Sequence, residues 1–187
     1  SLRKAESGIH LDVTVLYLSV PGFADLQKKL VPEELLAGVS TQIDVLCGIV
    51  INNDGEADKI IGEKILAYFY SSEGLKKSNA MAMHALQIIS AAEREGLLPF
   101  PVAAGMHCGS VIAGLLGISS KRDFTIIGDT VNTAARINAM AAELPEQRYL
   151  VSALAADGCG LESRLSPFGS VSLKGKAETV DLLHARI

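Results

Sequence analysis

Apolar positions along the chain switch between a period of two and a period near 3.6, and the switches mark its elements. In residues 12–19, DVTVLYLS, Val13, Val15 and Tyr17 alternate with Thr14, Leu16 and Leu18, the pattern of a buried strand. Pro21-Gly22 turns the chain, and Phe23–Leu30 predicts a short helix. Pro32 suits the first turn of a longer helix that carries Leu35, Leu36, Val39, Ile43, Leu46, Ile49 and Val50 at helical spacing. Asn52-Asn53-Asp54-Gly55 ends it. Lys59 to Tyr70 reads as a hairpin around a two-residue Gly62-Glu63 turn with glycine first.

Residues 76–95 repeat the amphipathic helical pattern through Met81, Ala85, Leu86, Ile89 and Ala92. Strands are expected at 101–107, 110–116 and 123–127, then a helix at 130–142. Further strands fall near 148–152, 168–174 and 179–186. Strand–helix–strand–strand–helix–strand order predicts an α+β fold with a ferredoxin-like core, a mainly antiparallel sheet with helices packed on it. Residues 10–187 read as a single domain, without internal repeat or linker, and 1–9 as a lead-in. The chain opens on Ser1 rather than Met, so it is expected to be cut from a longer protein.

The richest chemistry lies in 122–137, RDFTIIGDTVNTAARI. A β-rich run meets Gly128-Asp129, with Asp129 as the expected N-cap and Thr130 and Asn132 in the first helical turn. Asn132 and Arg136 are four apart and share one helix face. An amide beside a guanidinium suits an anionic, oxygen-rich group, and equally describes a solvated helix face.

That segment resembles the signature of the class III nucleotidyl cyclases, the adenylate/guanylate cyclase catalytic domain. VTVLYLSVPGF (13–23), DGEADKIIGEKILAYF (54–69), AAGMHCGSVIAGLLG (103–117) and VSLKGKAETVDLLHA (171–185) add to the resemblance in the family's order. It implies the same ferredoxin-like core and a reaction in which ATP becomes cyclic AMP and pyrophosphate. The ribose 3′-hydroxyl attacks the α-phosphorus, so catalysis rests on positioning and charge neutralisation. By the resemblance, Lys59 and Asp123 read the adenine edge, Asn132 orients the ribose, and Arg136 stabilises the transition state. Lys174 contacts the β- and γ-phosphates, and Gly22 and Phe23 belong to the loop that cradles them. Each partner of a two-chain site supplies one half, so the implied partners are ATP and a second copy or a metal-bearing cyclase domain.

The family uses Mg²⁺ or Mn²⁺ held by two aspartates, and here those positions are Ser19 and Glu63. Serine has no anionic oxygen, and glutamate is one methylene longer than aspartate. Pro21 removes an N–H from the phosphate loop; the same residues also describe a plain strand-to-helix turn. Asp12, Asp25 and Asp58 are not convincing substitutes, and Asp58 is expected to face away from Lys59 on its strand. The expectation is therefore a signalling domain with low or no cyclase activity as a homodimer. The alternatives are an active adenylate cyclase working through Glu63 or a metal-bearing partner, and a non-catalytic ATP-sensing or dimerisation module.

Composition changes this picture little. A chain of 187 residues with 49% hydrophobic content can bury a sizeable core. Its net charge of −4 gives no reason to expect nucleic-acid binding. Cys47, Cys108 and Cys159 have no metal-ligand spacing and, being odd in number, argue against a disulfide framework. His10, His84, His107 and His184 form no ligand or triad spacing, and no G-x-S-x-G, Walker A or C-x-x-C motif is present. The apolar run 35–53 is interrupted by Ser40, Thr41, Gln42 and Asp44, so neither a membrane span nor a signal peptide is expected, and the location expected is cytoplasmic.

Overall fold

The computed structural model describes residues 8–172 and 177–187. In chain order they form β1 (Ile9–Ser19), α1 (Phe23–Lys29), α2 (Pro32–Asn52), β2 (Glu56–Ile61), β3 (Lys64–Phe69), α3 (Leu75–Arg94), β4 (Ala103–Ile118) and β5 (Lys121–Ile127). Then follow α4 (Asp129–Ala142), β6 (Tyr149–Ser152), α5 (Ala153–Ala156), β7 (Leu165–Ser172) and β8 (Thr179–Ala185). The strands make one sheet in the order β2-β3-β1-β4-β6-β8-β7, with β5 paired to β4. Every pairing is antiparallel except β4 with β6. The expected mainly antiparallel α+β fold is therefore present, with β1 at the centre of the β2-β3-β1-β4 core.

The central strand is covered on both faces, which explains why its residues of both parities are apolar. Leu16 and Leu18 join Leu46 and Val50 of α2 and Met83, Leu86 and Ile89 of α3 in one core cluster. Val13, Val15 and Tyr17 pack in another with Ala134 of α4. A third cluster sets Ile137 and Ala141 of α4 against Leu150, Val171 and Leu182. The polar member of β1, Thr14, is satisfied by the Ser78 hydroxyl and by Asn79 Oδ1 of α3. The helix α2 is long and apolar enough to cross a membrane by length and composition. Here its Gln42, Leu46 and Val50 are buried, and the Gln42 amide bonds the backbone of Phe100 and Pro101.

Two differences from the sequence reading bear on how α4 is placed. The strands expected at 101–107 and 110–116 are one continuous strand. Gly109 stays in register opposite Val13, and its missing side chain makes room for Thr130, whose Oγ1 would lie 2.7 Å from a Cβ there. That hydroxyl donates to the Ser110 carbonyl at 2.8 Å and docks the start of α4 on β4. Likewise the N-cap of α4 is Gly128, at φ +143°, and Asp129 is the first helical residue. Its charge still suits the positive end of the helix.

One buried titratable group gives a stability prediction. His107 on β4 is buried, with Nδ1 2.8 Å from Ser152 Oγ. That oxygen also accepts the Ala155 N–H. Burial lowers the His107 pKa from 6.5 to about 4. The folded chain thus refuses a proton that the unfolded chain accepts below pH 6.5, and stability is lost as pH falls toward 4. Urea unfolding is expected to show a loss of about 2 kcal/mol from this group between pH 6.5 and 5. The loss should shrink in His107→Gln; an equal loss in that variant would refute the assignment.

Candidate active site divided between two clefts

The β2–β3 hairpin contributes to both clefts. Gly62 adopts φ +61°, which lets Gly62-Glu63 reverse the chain in two residues between paired Ile61 and Lys64. The turn brings Glu63 beside Ser19, the last residue of β1. Both line a cleft of about 390 Å³ with Tyr17, Gly22, Phe23, Asn138 of α4 and Glu143, which caps that helix. Ser19 is 5% exposed. Tyr17 has its hydroxyl pKa raised by burial and then by the Glu63 charge. Gly22 caps the short helix α1 at φ +68°, a left-handed conformation suited to glycine. Pro21 offers no amide N–H to this cleft.

The donors here do not fit a two-metal centre. A pair of hard divalent cations needs several anionic oxygens. Ser19 supplies a neutral hydroxyl, and Glu63 and Glu143 are the carboxylates of this cleft. Among the described residues, no three His, Cys, Asp or Glu side chains come together to hold a metal ion. Glu143, at the end of α4, escaped the sequence reading because no motif carries it.

The second cleft, of about 500 Å³, holds Lys59 and Asp123 together with Asp58, Tyr68 and Phe124. Lys59 is half-buried and Asp123 exposed. Asp58 departs from the expected alternation. The ladder between β2 and β3 shifts register between Ala57 and Lys59, so Asp58 is an extra residue and lines the same cleft as Lys59. Its carboxyl accepts a 2.7 Å bond from the Thr125 hydroxyl of β5. Burial raises the Asp58 pKa, and the Thr125 bond pulls it back.

The remaining residues sit on α4 and beyond. Asn132 is exposed on its first turn, and Arg136 is half-buried one turn later. The Arg136 Nη2 donates to Ser172 Oγ at 3.4 Å, at the end of β7. Lys174 lies outside the described residues. The described residues thus bring Lys59 and Asp123 into one cleft and Ser19 and Glu63 into another, while Asn132 and Arg136 line neither.

A family model described as the adenylate and guanylate cyclase catalytic domain matches residues 6–183. This chain belongs to that family. Among curated cyclases it is 24% identical to adenylate cyclase 1 of Rhizobium meliloti over 91% of its length and 27% of the relative's. It is 26% identical to the adenylate cyclase of Anabaena cylindrica, over 93% of its length and 36% of the relative's. The chain therefore spans about a quarter to a third of these cyclases. The adenylyl cyclase CyaB of P. aeruginosa has the same fold, with TM-score 0.76 at 21% identity, covering 97% of this chain and 96% of that one. A bacterial light-regulated adenylyl cyclase matches at TM-score 0.80 and 24% identity, over 96% of this chain and 52% of that one.

Proposed function

We propose that residues 10–187 act as one adenylate cyclase-like domain in cyclic-nucleotide signalling, reading ATP but turning it over slowly or not at all as a homodimer. The observation that carries the adenine reading is the shared cleft of Lys59 and Asp123. An ammonium can donate to adenine N1, and a carboxylate can accept from the 6-amino group. In this reading Asn132 orients the ribose, Arg136 meets the developing phosphate charge, and Lys174 holds the terminal phosphates. Support for low turnover comes from the other cleft, where Ser19 leaves Glu63 without the opposing carboxylate that a metal pair needs. Mg²⁺ or Mn²⁺ then binds weakly, and charge on the transferring phosphate goes largely unneutralised.

A second copy repeats the same defect, so the productive partner in this reading is a cyclase domain that brings both metal aspartates. A second reading is an active enzyme in which Glu63 works with Glu143, favoured by their presence in one cleft. The deciding assay is cyclic AMP formation from ATP by the purified chain, with Mg²⁺ and separately with Mn²⁺, alone and mixed with a metal-bearing cyclase domain. Little product alone and clearly more in the mixture is the expected result. Turnover as fast alone as in the mixture would sink the proposal in favour of Glu63 chemistry.

A further inference from the structure

The ladder between β1 and β3 decides which side chain stands across from Ser19. It pairs Tyr17 with Leu66 and Leu18 with Ile65, so the next residue along β3, Lys64, comes opposite Ser19. Tyr17 and Leu66 pack in the core beneath α4, and alternation puts Ser19 and Lys64 on that same face. Both line the cleft of about 390 Å³. A hydroxyl and an ammonium therefore meet there. Ser19 is 5% exposed, and among the described residues its hydroxyl has no hydrogen-bond partner. The Lys64 ammonium is exposed and, among the described residues, has no ion-pair partner.

Lys64 changes what this cleft can hold. A divalent cation gathers anionic oxygens from the protein and is repelled by a fixed ammonium beside it. An ammonium donates directly to anionic oxygens through three rotatable N–H groups. The Ser19 hydroxyl adds a further donor to the same oxygens. These two residues fit the phosphates of a nucleotide better than the ions that accompany them. Glu63 and Glu143 line the same cleft and oppose an anion, so removing either charge should favour one.

We propose that Lys64 takes the place of the metal ions in this cleft: with Ser19 it holds the phosphate tail of ATP, and the chain binds nucleotide without Mg²⁺ or Mn²⁺. The inference rests on the ATP reading given above. One ammonium neutralises one charge and cannot bridge the attacking and leaving oxygens as two divalent ions do. Metal-free binding therefore goes with slow turnover.

The test is binding of fluorescent mant-ATP to the purified chain in EDTA and in excess Mg²⁺, with inorganic tripolyphosphate as competitor. Affinity in EDTA should match or exceed that in Mg²⁺ and should fall as salt is added. Lys64→Ala should weaken both mant-ATP and tripolyphosphate by roughly tenfold, and Lys64→Arg should keep most of the affinity. Glu63→Gln should tighten binding in EDTA, the opposite of what loss of a metal ligand would do. Both positions lie at the hairpin tip, outside the core clusters, so the variants should fold. Binding that requires Mg²⁺, or that weakens in Glu63→Gln, would overturn the proposal. If Lys64→Ala changes nothing while Lys59→Ala abolishes the preference for mant-ATP over mant-GTP, the Lys64 site fails and the adenine reading stands. If the two nucleotides bind alike and Lys64→Ala weakens both, the adenine reading fails and the Lys64 site stands.

Discussion

The double substitution Ser19→Asp with Glu63→Asp is expected to raise cyclic AMP production by on the order of 100-fold over the unmodified chain, measured with ATP and Mn²⁺. The two positions already line one cleft, Ser19 at the strand end and Glu63 on a two-residue turn, so the new carboxylates would share that cleft without a change of fold. Shortening Glu63 by one methylene moves its oxygens by about 1 Å, a displacement that matters in a positioned reaction. A separate signature should accompany the gain. Position 19 is 5% exposed, and a buried carboxylate without a cation is costly. The double variant should therefore melt lower than the parent in chelator and recover with Mn²⁺, by about 2.7 kcal/mol at a metal concentration a hundred times its dissociation constant. Adding Arg136→Ala should abolish the gain in turnover and leave the metal-dependent melting intact. A folded double variant that binds metal and still makes no cyclic AMP would show that more than the metal donors has been lost, with Pro21 in the phosphate loop the first residue to test.

Replacing Gly105 by alanine is expected to cost about 3 kcal/mol of stability. Gly105 lies on β4 directly beneath α4. A Cβ there would sit 2.4 Å from the Asn138 nitrogen and 2.6 Å from the Ala134 carbonyl oxygen, both backbone atoms. No flexible side chain can move aside, so the helix itself must shift. It is held by Asn138, whose Nδ2 donates to the Tyr17 carbonyl at 3.1 Å and the Ala103 carbonyl at 2.9 Å. Moving α4 breaks those bonds and displaces Asn132 and Arg136 together. Thermal unfolding followed by circular dichroism should shift down by about 6–12 °C for a chain of this size. Nucleotide binding should weaken with it, and an unchanged melting temperature would refute the close-packing account.

The local elements were legible because their determinants are local. Pro21-Gly22 and Gly62-Glu63 are turns whose backbone angles a glycine supplies, and α2, α3 and α4 carry their apolar stripe within one segment. Ser19 and Glu63 were paired by the family resemblance, which sets aspartates at those two positions, and the structure places the two residues on one cleft. The misread positions have a different character. Gly109 looked like a break between strands, but it continues β4 because the space of its side chain belongs to Thr130. Asp129 looked like a helix cap, but Gly128 takes that place at a backbone angle glycine tolerates.

By itself the sequence determined the order of elements, the α+β class, and the grouping of Lys59, Asp123, Asn132 and Arg136 as candidates for one chemistry. Periodicity and turn residues encode the elements and the class through neighbours a few positions apart, and the family resemblance supplied the grouping of those four side chains. Only the tertiary structure decided that Lys59 shares a cleft with Asp123, that Ser19 and Glu63 share another, and that Glu143 belongs to the latter. It also decided that Asp58 is bulged and spent on Thr125. Each depends on strands that meet only after folding, and a bulge or a close approach is selected by the partner atom across the gap.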